Sequence, residues 1–163
     1  KKLLFMGQEF GQFIEWNYKQ ELDWLLLDYD MHRKLKEFSR TLNRFYKRNP
    51  AMWEIDYSWE GFSWISSDDS ANSVIAFELI AVCNFTPVTR ENYRIGVPDK
   101  GTYRIVLNTD SVEFGGSGTK MQKTYTSKPI PMHSFGQSIS LTLPGLSVVY
   151  LKKQGKKADN KEE

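Results

Sequence analysis

Apolar residues along this chain change their spacing once, near Pro50, from helical to alternating. The chain opens with Leu3-Leu4-Phe5-Met6, a continuous apolar run closed by Gly7. A run of this length suits a strand buried on both faces, although periodicity alone leaves a helix open. The polar cluster Gly7-Gln8-Glu9-Phe10-Gly11-Gln12 would then lie at the strand's carboxyl end, where α/β folds keep their binding residues. Residues 11–23 mix aromatics, carboxylates and amides without a period, which reads as a long loop. Met31, Leu35, Phe38, Leu42 and Phe45 then recur at spacings of four and three, one face of an α-helix. Asp28 or Asp30 can cap its start, Lys47 and Arg48 suit its last turn, and Asn49-Pro50 stops it. The apolar stripe is expected to face a core, and His32 to lie on the solvated flank.

Beyond Pro50 the pattern is that of strands. Short runs around residues 62–66, 74–77, 80–85, 93–97, 103–107, 138–143 and 148–151 are separated by turn signals such as Thr86-Pro87, Pro98-Asp99-Lys100-Gly101 and Pro144-Gly145. Seven or so strands at this spacing predict an antiparallel β-sandwich. Alternation puts Phe62 and Trp64 on one face, toward the core. Residues 74–85 run without a turn residue, so either one long bent strand crosses the sandwich or a hairpin turn is lacking at Glu78-Leu79; the lacking turn is the reading we adopt. The stretch containing Phe114-Gly115-Gly116-Ser117-Gly118 and Lys128-Pro129-Ile130-Pro131 reads as one long excursion between strands, mobile at its glycines. The expected fold is therefore mainly β: residues 1–49 as an incomplete strand, loop and helix, residues 50–153 as an all-β domain, and residues 154–163 as a charged, disordered tail. A lone parallel strand cannot complete a fold, because parallel pairing needs crossover connections to neighbours, so its partners are expected upstream.

Composition narrows the classes. In 163 residues the hydrophobic share of 40% and charged share of 26% are those of a globular domain. A net charge of +2 without a basic stripe gives no footprint for nucleic acid, and no long apolar stretch points to a membrane. Cys83 is the only cysteine, so no intrachain disulfide is available and a reducing, cytoplasmic setting is the simpler expectation. It reads as an inert buried thiol, with no basic group placed by sequence to lower its pKa. His32 and His133 are too few and too far apart for a zinc site, and neither a metal nor a cofactor is expected.

Several strings carry a resemblance. Leu3-Leu4-Phe5-Met6-Gly7-Gln8-Glu9-Phe10-Gly11-Gln12, Glu15-Trp16 and Leu22-Asp23-Trp24 resemble the eighth strand and following loop of the catalytic barrel of 1,4-α-glucan (glycogen) branching enzymes, in the α-amylase family. Asn84-Phe85-Thr86-Pro87-Val88, Tyr93-Arg94-Ile95-Gly96-Val97-Pro98 and Leu107-Asn108-Thr109-Asp110 through Gly115-Gly116-Ser117-Gly118 resemble the C-terminal domain of the same enzymes, in collinear order. The resemblance implies the end of a (β/α)8 barrel followed by a C-terminal β-sandwich. The parent would cleave an α-1,4 glucan bond and transfer the chain to a 6-hydroxyl by a retaining mechanism, which needs two carboxyl groups roughly 5–5.5 Å apart. In the family these lie on earlier barrel strands whose motifs are absent here, so the fragment is expected to be inactive alone and no catalytic residue is assigned. The family's hairpin near Glu78-Leu79 is also absent.

Within this frame Glu9, Trp16, Asp23 and Trp24 are candidates for the substrate groove. Glu9 has the plainer alternative of anchoring the loop. The two indoles offer apolar faces to glucose rings, or else pin the loop against its surroundings, and Asp23 can accept a sugar hydroxyl. Among Trp53, Tyr57, Trp59, Phe62 and Trp64, Trp59 is the one expected to stand exposed as a surface glucan contact. Asn108 and Asp110 read as turn residues that fold their side chains onto backbone N–H groups. The expected partner is an α-glucan. The helix face, without barrel neighbours, is expected either to drive dimerisation or to pack on the β domain. The rival readings are an independent carbohydrate-binding β-sandwich and another α-amylase-type hydrolase.

Overall fold

The computed structural model describes residues 3–61, 63–66, 74–76 and 79–155. It divides into two compact units, a helical one made of Lys1–Ser63 with Asn108–Lys120, and a β unit made of Trp64–Leu107 with Met121–Glu163.

The β unit contains eight described strands: β1 (Trp64–Ser66), β2 (Val74–Ala76), β3 (Leu79–Asn84), β4 (Arg90–Val97), β5 (Thr102–Asn108), β6 (Thr124–Thr126), β7 (Gln137–Leu143) and β8 (Ser147–Lys153). Six form one sheet in the order β1-β2-β3-β8-β5-β6, and β4 pairs with β7 in a second. Alternation determines which side chains meet. Ile80 and Val82 of β3 stand opposite Leu151 and Val149 of β8, and Tyr93 and Ile95 of β4 opposite Leu141 and Ile139 of β7. These inward residues, joined by Val97, Tyr103, Tyr125 and Leu143, form one buried cluster drawn from both sheets. Each fully enclosed Val, Leu or Ile contributes about 1.5–3 kcal/mol of burial free energy. The antiparallel sandwich expected from the alternation is thus present.

Two details of the β unit differ from expectation, the phase of β1 and the presence of β6. Ile65, not Trp64, is the buried residue of β1, and Trp64 is 50% exposed. The β1–β2 register shifts between Trp64 and Ser66, and β1 presents the opposite phase to the one expected for Trp64. Phe62 lies outside the described residues. β2 and β3 are two antiparallel strands with Ala76 opposite Ile80, in line with the adopted reading of residues 74–85 rather than one long bent strand; the junction at residues 77 and 78 is outside the described residues. β6, three residues with only Tyr125 turned inward, is too short to leave a period. Cys83 is buried as expected, and that burial pushes its thiol pKa up.

In the helical unit, α1 spans Asp30–Arg48 and ends at Asn49, whose extended backbone precedes Pro50. No side chain caps its N-terminus: Asp30 occupies the first turn, pairing with Lys34 at 2.8 Å, and Asp28 lies before the helix. The expected stripe is only partly covered, since Met31 is 59% exposed and Leu35 is also open. Residues 3–6 are not a strand. They lead irregularly into a turn, with Leu3 and Leu4 exposed, because among the described residues no ladder partner is available to their backbone groups.

The excursion after β5 is built rather than loose, and its first part belongs to the helical unit. Asp110, buried, accepts the Ser117 amide at 2.8 Å on Oδ1, and the Thr119 amide at 2.8 Å and the Ser117 hydroxyl at 3.0 Å on Oδ2. Its own amide donates to Asn108 Oδ1 at 3.0 Å. Burial raises its pKa, but the donors from Thr119 and Ser117 outweigh burial and leave the carboxyl below its usual value. A Cβ at Gly116 would lie 2.3 Å from the Asp110 carbonyl, so only glycine closes this knot. Phe114 then packs edge-on against Phe38 of α1, ring centroids 5.4 Å apart. The turn chemistry expected of Asn108 and Asp110 is present, whereas the mobility expected of the glycines is not what the hydrogen bonds describe.

Candidate functional site

All four groove candidates lie in the helical unit, arranged around the turn Gln8–Phe10. Gly7 (φ 86°) and Gly11 (φ 76°) bracket that turn in the left-handed region, which other residues enter at a cost of about 1–2 kcal/mol. A Cβ on Gly7 would also come within 2.9 Å of Gln12 Cβ. The Gly7 carbonyl accepts both the Phe10 amide at 3.1 Å and the Gln12 amide at 3.2 Å. Phe10 is wholly buried, which turns its neighbour Glu9 outward to a half-buried position.

From this turn the loop is clamped at two points. Gln12 Oε1 accepts the Asp23 amide at 2.9 Å, while its Nε2 donates to the Ile14 carbonyl at 3.1 Å. The Phe10 ring lies 5.4 Å from that of Trp24. Asp23 and Trp24 are thereby fixed to the turn that carries Glu9, and with Gln20, Leu22, Leu25 and Asp28 they line a shallow open groove. Trp24 is 48% exposed, and Lys36 Nζ sits 5.8 Å from the centre of its ring. Its position combines both sequence readings: part of the indole pins the loop, and part is open. Trp16 is placed differently. It is 74% exposed, with its ring 5.0 Å from Phe5. The structure thus joins Glu9, Asp23 and Trp24 through backbone and ring contacts, and sets Trp16 beside the opening run.

Trp59 stands elsewhere, in the segment that follows α1. Pro50 starts a tight turn whose carbonyl accepts the Trp53 and Glu54 amides at 2.9 and 2.8 Å. The Ile55 carbonyl crosses so near Gly61 that a Cβ there would lie 1.7 Å away. Between these points Tyr57 and Trp59 project into solvent, Trp59 with 84% of its surface open.

Two contributors went unseen in the sequence. His32, expected on a solvated flank, is half-buried and hydrogen-bonds the Phe10 carbonyl through Nδ1 at 2.7 Å. Gln12 is the clamp on Asp23. The pair of glycines four residues apart around Gln-Glu-Phe is the signal that marks this turn as rigid; nothing local marks His32. Among the described residues no three His, Cys, Asp or Glu side chains gather as a metal site would require, and no helix is long and apolar enough to cross a membrane.

Comparison with known proteins shows the family to which the chain belongs. Residues 64–154 match the family model "Alpha amylase, C-terminal all-beta domain". Over 93% of its length the chain is 51% identical to the 1,4-alpha-glucan branching enzyme GlgB of Halothermothrix orenii, covering 26% of that protein. It is 47% identical to GlgB of Aquifex aeolicus over 95% of the chain and 26% of the relative. It is 43% identical to GlgB of Francisella tularensis subsp. novicida over 93% and 25%. The chain therefore spans about a quarter of the length of the curated relatives it matches. The resemblance read from its strings is borne out.

Proposed function

The chain belongs to the alpha amylase C-terminal all-beta domain family, and on that premise we propose that it is the C-terminal part of a 1,4-alpha-glucan branching enzyme. Such an enzyme cleaves an α-1,4 glucan chain and joins it to a 6-hydroxyl, in the cytoplasm, on glycogen-like substrate. In this reading the opening run, which forms no strand here, corresponds to the last strand of a (β/α)8 barrel, and the loop and α1 to the loop and helix that follow it. The carboxylates that act on the glycosidic bond belong to earlier strands.

The observation that carries the proposal is the turn of the helical unit. Its backbone is locked by Gly7, Gly11 and Gln12, yet the apolar residues around it, Leu3, Phe13, Leu25 and Met31 among them, lie open. Rigid geometry with an uncovered apolar surround is what one sector of a barrel would show without its neighbours. Glu9, Asp23 and Trp24 would then stand at the carboxyl end of the barrel, on the rim of the glucan groove. There a carboxylate accepts sugar hydroxyls and an indole face takes the apolar side of a glucose ring. Trp16, beside them in sequence, would extend this rim.

The decisive measurement is product analysis of the full-length protein acting on amylose. New α-1,6 linkages are expected. Shortened linear chains without branches would support an α-amylase-type hydrolase instead, and binding without any change in the glucan would support an independent carbohydrate-binding sandwich.

A further inference from the structure

His32, near the start of α1, is a polar group that the reading above does not use. Its Nδ1 lies 2.7 Å from the Phe10 carbonyl oxygen. A carbonyl can only accept, so Nδ1 carries the proton and donates it. The ring is enclosed edge-on by Phe13 at 5.4 Å and stands 6.4 Å from Tyr29. Directly beside it passes the backbone of Gly11, where a Cβ would come within 3.0 Å of Leu35 Cδ2 and 3.6 Å of His32 Nδ1. The other hydrogen bonds given for the turn and Gln12 close on themselves or run to Phe5, Ile14 and Asp23, whereas that of His32 runs to the helix. Order passes from the Phe10 carbonyl in two directions. One is the buried Phe10 ring, against which Trp24 rests; the other is Gly11 and Gln12, whose side chain holds the Asp23 amide.

We infer that His32 is a positioning residue for the glucan groove. The hydrogen bond from its Nδ1 seats the turn between Gly7 and Gly11 on α1, and so holds Glu9, Asp23 and Trp24 where a sugar chain would meet them. His32 itself touches no substrate. The role in glucan binding rests on the groove proposed above, but the seating of the turn does not, so the two can fail separately. A misplacement of about 1 Å at a binding surface is enough to weaken binding severalfold.

Two variants of the full-length protein test this. His32→Phe keeps a flat ring and removes the donor, while His32→Asn puts an amide N–H near the place of Nδ1. In His32→Phe the Gln12 and Asp23 amides are expected to exchange with deuterium about tenfold faster, with those of Ile139 and Leu141 unchanged. KM for amylose should rise about fivefold with kcat within about twofold of wild type, the pattern of lost uniform binding. His32→Asn should recover both. Unchanged exchange at Asp23 in His32→Phe, or His32→Asn behaving like His32→Phe, would overturn the seating role. A general rise in exchange that includes Ile139 and Leu141 would show a merely structural residue and overturn it as well. Faster exchange at Asp23 with unaltered KM would overturn the groove role. A wild-type protein that forms no α-1,6 linkages would remove the functional reading, and the exchange experiment would still decide whether His32 seats the turn.

Discussion

In the β unit Val82, Ile95, Leu143 and Val149 are wholly enclosed; in the helical unit Phe10 is the large apolar side chain so enclosed among the described residues, while Leu3, Phe13, Tyr18 and Leu25 stay open. The two units are ordered by different means. The sheets draw their core from strands far apart in sequence, and each ladder places an apolar residue opposite another. In the helical unit, hydrogen bonds and glycine geometry do what burial does in the sheets, at the Gly7–Gly11 turn and again at Asp110. A unit held that way can be locally exact in shape and still leave much apolar surface uncovered.

The largest test of this contrast is Leu141→Ala. It removes a side chain from the centre of the core and should lower unfolding stability by about 2–5 kcal/mol in urea titration. A loss below about 1 kcal/mol would mean that the two sheets do not share a close-packed core. Asp110→Ala comes next. It strips acceptors from two backbone amides and a hydroxyl, and should cost about 1–3 kcal/mol while leaving the sheet amides protected from exchange. The carboxyl also sets a pH dependence. Its folded pKa lies below the unfolded value near 3.9, so its contribution is complete above that value and disappears as pH falls through the folded one. As pH falls below about 4 the wild type should therefore lose stability that Asp110→Ala lacks throughout; parallel pH curves would refute the assignment. The smallest effect is expected from Trp59→Ala. With its ring in solvent, stability should change by no more than about 0.5 kcal/mol, while retardation of the protein on a glycogen affinity gel weakens. Unaltered retardation would leave Trp59 as a surface residue without a glucan role.

How much of this was legible in the sequence follows the same division. β7 and β8 announce themselves because burial favours one face of each and so writes a period of two. β3, buried along nearly all its length, and β4 and β5 show instead as short apolar runs between turn signals. β1 misled because its one aromatic, Trp64, is half exposed, and Ile65 carries the inward phase. The period of α1 is real, but a period shows which residues share a face and not what covers it; hence Met31 and Leu35 could look like core and lie open. Residues 3–6 have the composition of a strand, yet a strand is a relation to a partner that composition cannot supply. At the site, Glu9, Asp23 and Trp24 could be named because charged and aromatic residues following an apolar run are conspicuous. His32 could not, since its partner is a backbone carbonyl 22 residues away, and a carbonyl leaves no mark in sequence. Asp110 was read correctly as a turn former because its partners lie seven and nine residues on.

The insertion of Asn108–Lys120 into the helical unit has a consequence for protein engineering. A chimera that exchanges everything from Trp64 onward would carry off the Phe114 ring that packs on α1 and replace it with a foreign one. The seam along which this chain can be recombined is therefore not a single point but three: one before Trp64, and one at either end of the Asp110 knot.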